Sequence, residues 1–125
     1  ALGLSGDGGS TWFLPRLVGL RRARELMLHN RVLSATEALA WGLINRVVPA
    51  AELAAVADET VARMAAGPTV AYGEMRRLLW QSFSVDLGRG LQAELEAIAR
   101  CGATDDAREG VTAFNERRPP KFTGR

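Results

Sequence analysis

The sequence predicts a mostly α-helical chain with little sheet. Three observations carry this. Apolar residues recur at the helical period through residues 51–66 and again in the segments that follow. Helix stop signals, Gly42, Gly67-Pro68 and Pro119-Pro120, divide the chain into helix-sized pieces. Only residues 43–48 are apolar and β-branched enough to suggest a strand, and Pro49 closes them.

Residues 1–9 hold four glycines and one aspartate, so they form a loop. Ser10 or Thr11 can cap a short apolar helix over 12–18, which Pro15 should make irregular by removing a backbone donor. Gly19 permits a turn, and a basic helix follows over 20–29. Ser34 to Glu37 reads S-A-T-E, a capping box, and opens a helix over 35–41 that stops at Gly42. In the helix over 51–66, Leu53, Val56, Ala57, Thr60, Val61 and Met64 share one face. Helices are expected over 69–83, with Tyr72, Met75 and Leu79 inward, and over 91–100, with Leu91, Leu95 and Ile98 inward. The last spans 104–118, with Asp105 and Asp106 at its positive end and Arg117 and Arg118 at its negative end. An extended tail, KFTGR, follows. Such wide apolar faces must bundle together or cover a partner outside this chain.

With 125 residues, 47% hydrophobic and 24% charged, the composition is that of one globular domain and excludes a disordered tail, a collagen-like fibre or a coiled coil. No apolar run is long enough for a membrane span. The opening ALGLSGDGG has neither a basic nor a long apolar region, so it does not read as a signal peptide. It begins without methionine on a glycine-rich turn, as if in mid-domain. The single cysteine, Cys101, suits a reducing compartment. A net charge of +2 predicts no polyanion partner by bulk charge.

Taken alone, the residues say little about chemistry. One histidine and one cysteine cannot build a zinc site. Gly3, Gly6, Gly8 and Gly9 resemble a phosphate loop only loosely, and a plain tight turn explains them. Asp7 has two readings. It is a turn aspartate bonding nearby backbone, or a carboxylate desolvated beside Trp12 and Phe13 that takes and returns a proton near neutral pH. His29 reads as a solvated helix end, Cys101 as an inert thiol, and Trp41 and Trp80 as packing residues. Arg21, Arg22 and Arg24 form a basic cluster that a solvated face or a phosphate contact would explain.

Three segments change the weights. GLSGDGGSTWFLPRLVG at 3–19, LSATEALAWGLINRVVP at 33–49 and TDDAREGVTAFNERRPPKFTGR at 104–125, in this order and spacing, resemble the C-terminal half of the crotonase superfamily, the enoyl-CoA hydratase/isomerase family. The resemblance covers essentially the whole chain. It implies a crotonase-like (β-β-α)n spiral, of which this chain is the mostly α-helical C-terminal half. Residues 1–50 would be the last part of the spiral core with the Asp7 loop, and residues 51–125 the C-terminal helical trimerisation region. A family member would have about twice this length. The preceding half would supply most of the sheet, much of the CoA cleft and the two oxyanion-hole N–H groups.

The resemblance also implies roles. Negative charge develops on a thioester oxygen, two N–H donors stabilise that enolate, and a carboxylate moves protons at neighbouring carbons. Typical hydratases carry their glutamates in segments preceding Ala1 and have glycine at the position of Asp7. Several isomerases of the family have aspartate there. GDGGSTWFLPR, with Asp7 and Trp12, and the ending EGVTAFNERRPPKFTGR are most similar to the ring-epoxide phenylacetyl-CoA isomerases of phenylacetate degradation. This makes Asp7 the candidate catalytic acid/base and Leu4, Gly6, Trp12 and Phe13 candidate substrate-binding residues. Arg117 and Lys121 are the candidate CoA contacts. Ile98 stands where hydratases often have an aromatic near the CoA or acyl chain, a departure that weakens the contact.

The expected substrate is a coenzyme A thioester, with no cofactor and no metal. Expected partners are the missing N-terminal half and further copies in a homotrimer or hexamer in the cytoplasm, with no membrane. Nucleic-acid binding through Arg16, Arg21, Arg22 and Arg24 is weighed against by the acidic residues elsewhere and by the lack of interleaved exposed aromatics. Two other readings stand beside the isomerase: an enoyl-CoA hydratase with its glutamates upstream, and a non-catalytic fragment or assembly piece.

Overall fold

The computed structural model describes residues 3–125. Six α-helices follow one another: α1 (Ser10–Leu28), α2 (Ala35–Ala40), α3 (Leu53–Ala65), α4 (Thr69–Gln81), α5 (Leu87–Gly102) and α6 (Asp105–Glu116), with a 3-10 turn, Ala50–Glu52, leading into α3. They divide between two compact units, Ala1–Leu53 and Ala54–Arg125.

In the first unit, the break in α1 falls at Gly19 (φ 78°, ψ 157°), and the helix runs through Pro15. A helix rises about 1.5 Å per residue, so a straight α1 would hold its two ends about 27 Å apart. The break returns Met27 to the opening loop, where a Cβ on Gly6 would lie 2.4 Å from Met27 Cε. The expected side-chain cap at Ser10 or Thr11 is not made. Gly9, left-handed at φ 81°, takes the cap position with no side-chain bond. The capping box at α2 is present: Glu37 N donates to Ser34 Oγ at 3.2 Å, and Ser34 N donates to Glu37 Oε2 at 3.0 Å. Arg31 joins α1 to α2 by pairing with Glu25 and Glu37. The Trp41 ring receives the guanidinium groups of Arg22 (4.7 Å) and Arg31 (4.9 Å).

The strand expected over 43–48 does not form, and no strand occurs among the described residues. A strand exists by pairing, and none of those residues offers it an edge.

In the second unit α5 packs on α4 and α6. The apolar faces expected to turn inward do not. Tyr72, Met75 and Leu79 are exposed, as are Leu91, Leu95 and Ile98. The buried positions of α5 include Ala97, at 3% exposure, on a face shared with the part-buried Gly90, Ala93 and Cys101. Small residues let helices approach closely, while the leucines one step round the helix face away. Leu53, Val61 and Met64 of α3 are exposed too. Among the described residues nothing covers these side chains.

Polar clasps tie the second unit together. Arg100 of α5 donates from Nε and Nη2 to Glu74 of α4 at 2.8 and 3.0 Å. Arg77 adds bonds of 2.9 and 2.7 Å. Together Arg100 and then Arg77 hold the Glu74 carboxyl down to about 2. Arg118, and then the Lys121 N–H, hold Glu109 down to about 2 as well.

A carboxyl group depressed in the folded state stabilises it above its unfolded pKa and loses that contribution as pH falls toward its folded pKa. These clasps should therefore act fully at neutral pH and fade between about pH 5 and 2. The expected result is a urea midpoint that is flat from pH 7 to 6 and falls below pH 5, with a shallower fall in E74Q/E109Q. An unchanged acid slope in that double variant would contradict it.

Candidate active-site segment and its relatives

Asp7 sits at the turn leading into α1. Gly8 and Gly9 both adopt left-handed backbone, φ 56° and 81°. Asp7 O accepts from Ser10 N at 2.9 Å, and Gly9 O accepts from Trp12 N and Phe13 N at 2.9 Å. The loop is thus wound onto the first turn of α1 by its own backbone. Two of the glycines are closely approached by side chains. A Cβ on Gly9 would lie 2.9 Å from Phe13 Cε2, and one on Gly6 would also meet Ser10 Oγ at 2.7 Å.

The two aromatics after the loop are ordered against each other. The Trp12 and Phe13 rings meet edge-on at 5.0 Å and 80°. Arg16 lies 3.8 Å over the Trp12 ring and donates from Nη1 to Trp12 O at 2.9 Å. Leu4, Gly6, Asp7, Trp12 and Phe13 therefore belong to one short segment, a loop and the helix turn after it. Asp7 is exposed in this chain, and so is Leu4 at 82%.

The other candidates lie in the second unit. Ile98 is exposed on the outward face of α5. Arg117 caps α6 in left-handed backbone at φ 54°, a position that favours glycine. Lys121 is exposed, and its N–H donates to Glu109 Oε1 at 2.8 Å. The tail after α6, expected to be merely extended, is bound. Sequence reasoning also missed the role of Asp106, which is buried at 3% exposure beneath that tail. Two adjacent aspartates at a helix start read as a dipole pair, and nothing in the sequence separates the exposed one from the buried one. Among the described residues no group of three His, Cys, Asp or Glu could hold a metal ion, and no helix is long and apolar enough to cross a membrane.

This helical architecture is the C-terminal half of a crotonase fold. It superposes on the crystal structure of an enoyl-CoA hydratase from Bacillus anthracis with a TM-score of 0.90 at 36% identity, covering 99% of this chain and 48% of that one. The enoyl-CoA hydratase/isomerase family matches residues 1–125, and the chain belongs to that family. It is 38% identical over 124 residues to the 1,2-epoxyphenylacetyl-CoA isomerase of Escherichia coli K12, covering 99% of this chain and 47% of that protein. It is 34% identical over 121 residues to the crotonyl-CoA hydratase of Syntrophomonas wolfei, covering 97% and 46%. The chain spans about half the length of the curated relatives it matches.

Proposed function

We propose that this chain is the C-terminal part of an acyl-CoA isomerase that shifts a double bond, or rearranges an unsaturated or epoxidised acyl group, through an enolate. The observation that carries the reading is Asp7, held by Gly8 and Gly9 at the start of α1, directly before the Trp12–Phe13 pair. The similarity to the 1,2-epoxyphenylacetyl-CoA isomerase supports it. In this mechanism Asp7 takes a proton from one carbon of the acyl chain. The electron pair moves onto the thioester oxygen, which two N–H donors stabilise. Asp7 then returns the proton to a different carbon, the enolate collapses, and the double bond has moved. Leu4, Gly6, Trp12 and Phe13 line the acyl side. By the same resemblance Arg117 and Lys121 reach the CoA phosphates from a neighbouring subunit, and Ile98 is a weak neighbour of the CoA or acyl chain. The reaction needs no cofactor beyond the thioester itself, and the working enzyme is a cytoplasmic trimer or hexamer.

A second reading is supported by the hydratase relatives: a hydratase whose glutamates lie in the half of the relatives that this chain does not span. Substituting Asp7 in a complete subunit separates the two, with isomerisation and hydration assayed side by side. Efficient hydration that survives Asp7→Asn would exclude the isomerase.

The oxyanion-hole donors belong, by the same resemblance, to the preceding half. The 125-residue chain alone is therefore expected to turn over no acyl-CoA. Steady turnover by the purified chain, tracking with it through two separate columns, would overturn this.

A further inference from the structure

Glu109 is an acidic side chain of α6 to which the reaction proposed above gives no part. Its Oε1 accepts from Arg118 Nη1 at 2.6 Å and from Lys121 N at 2.8 Å, and its Oε2 accepts from Arg118 Nη2 at 2.9 Å. Glu116 Oε2 accepts from Nε of the same guanidinium at 2.6 Å. One carboxylate thus holds both ends of the turn Arg118-Pro119-Pro120-Lys121. The two prolines between them have fixed φ, and the residue before a proline is itself restricted, so pinning the ends fixes the turn. On the α6 side the turn begins at Arg117, whose left-handed backbone (φ 54°) is closed by Arg117 N donating to Phe114 O at 3.2 Å and Arg118 N to Ala113 O at 3.0 Å. Beyond Lys121 the chain is tied down again. Thr123 N donates to Asp106 Oδ1 at 2.6 Å, and Gly124 N to Oδ2 at 2.9 Å.

The three cations of this turn are treated differently. Arg118 is half-buried and paired with both Glu109 and Glu116. Arg117 and Lys121 are exposed, and among the described residues neither side chain makes a hydrogen bond or an ion pair. A left-handed arginine is strain that a glycine would avoid, and such strain persists where surrounding contacts over-determine it. The grip on Arg118 and the tie at Asp106 are those contacts. We infer that Glu109 is a positioning residue: by gripping Arg118 and the Lys121 N–H it fixes the turn that carries Arg117 and Lys121, and so presents two uncompensated positive charges to one phosphate-bearing ligand, coenzyme A. The inference rests on the reading of Arg117 and Lys121 as CoA contacts. Its physical basis is preorganisation. Two cations on a loose tail would lose backbone freedom when they bind a ligand, whereas on the fixed turn that freedom is already lost. Glu109 does not cancel their attraction for phosphate, because its own charge is met by Arg118 in a bidentate pair.

The test uses the complete enzyme and coenzyme A itself, titrated by calorimetry, so the result does not depend on the acyl group. Glu109→Gln removes the charge that grips Arg118. Glu109→Asp keeps the charge but shortens the reach, which separates geometry from electrostatics. Arg117→Gln with Lys121→Gln removes the two presented cations. That double variant should weaken CoA at least ~10-fold, and each Glu109 variant at least ~3-fold. Added to the double variant, Glu109→Gln should change the affinity by no more than ~2-fold, because nothing is left for it to position. A thermal melt of each variant shows that it is folded. Unchanged affinity in the Arg117/Lys121 double variant would remove the CoA reading of these residues and the inference with it. A weakened double variant beside Glu109 variants that bind CoA as well as the parent would leave that reading standing and overturn the positioning role alone. Tighter binding by Glu109→Gln would overturn it too, since that is the effect of merely deleting a negative charge near a phosphate site. So would an equal loss from Glu109→Gln with and without the two cations, which marks general structural damage.

Discussion

Asp7→Asn in a complete subunit should abolish isomerisation while leaving the fold intact. A positioned acid/base contributes about 10²–10⁴-fold, and the amide can neither take nor return the proton, so kcat should fall by that order. KM should change little, because the substituted group is of nearly the same size. The fold should be indifferent for reasons visible in the loop. Asp7 is exposed, and its backbone oxygen, which accepts from Ser10 N, is unaffected by the substitution. Asparagine also suits the same turn chemistry. Stability should therefore stay within about 0.5 kcal/mol of the parent. Assaying isomerisation by the absorbance of the shifted double bond, with a thermal melt alongside, checks both halves of the expectation. Retained kcat with an unchanged melt would remove Asp7 from the chemistry.

The largest stability effect is expected at Ala97. It is 3% exposed on the face of α5 shared with Gly90 and Ala93, where side chains are small because the backbones come close. Ala97→Leu adds volume that this face cannot take, at a cost of about 1–3 kcal/mol. In a unit of this size each kcal/mol lowers the melting midpoint by roughly 4–8 °C. Ile98→Ala is the opposite case. Ile98 is 69% exposed, so truncating it should cost the isolated chain no more than about 0.5 kcal/mol. The pair matters because the apolar periodicity of α5 points to Leu91, Leu95 and Ile98 as its packed face. A large loss at Ile98→Ala and none at Ala97→Leu, read from chemical denaturation of both variants, would restore that periodicity-based assignment.

Local chemistry was largely legible. Ser34 and Glu37 form the capping box that their spacing announced, because both partners lie within one helical turn. Gly19, Gly42 and Gly67-Pro68 sit where helices break or stop. Asp86, unassigned in the sequence reading, caps α5 by accepting from Arg89 N at 3.0 Å, which extends that helix four residues beyond the expected start. The failed strand over 43–48 has the composition of a strand but no edge to join among the described residues. The candidate loop was legible as a glycine turn carrying one aspartate before two aromatics. Its role entered only through family resemblance, since a lone turn aspartate has an equally good structural explanation.

What the sequence determined by itself was therefore much of what depends on near neighbours: the helices and most of their ends, the cap of α2, the glycine turn around Asp7 and the family to which the order of motifs belongs. Tertiary structure alone decided which helix faces pack, that Glu74 is clasped by Arg100 twenty-six residues away, and that one of two adjacent aspartates binds the returning tail. The physical reason is range. Capping and turn chemistry act within four residues and leave their signature in the spacing. Burial and charge pairing depend on where distant segments arrive, and an apolar stripe states only that something should cover it.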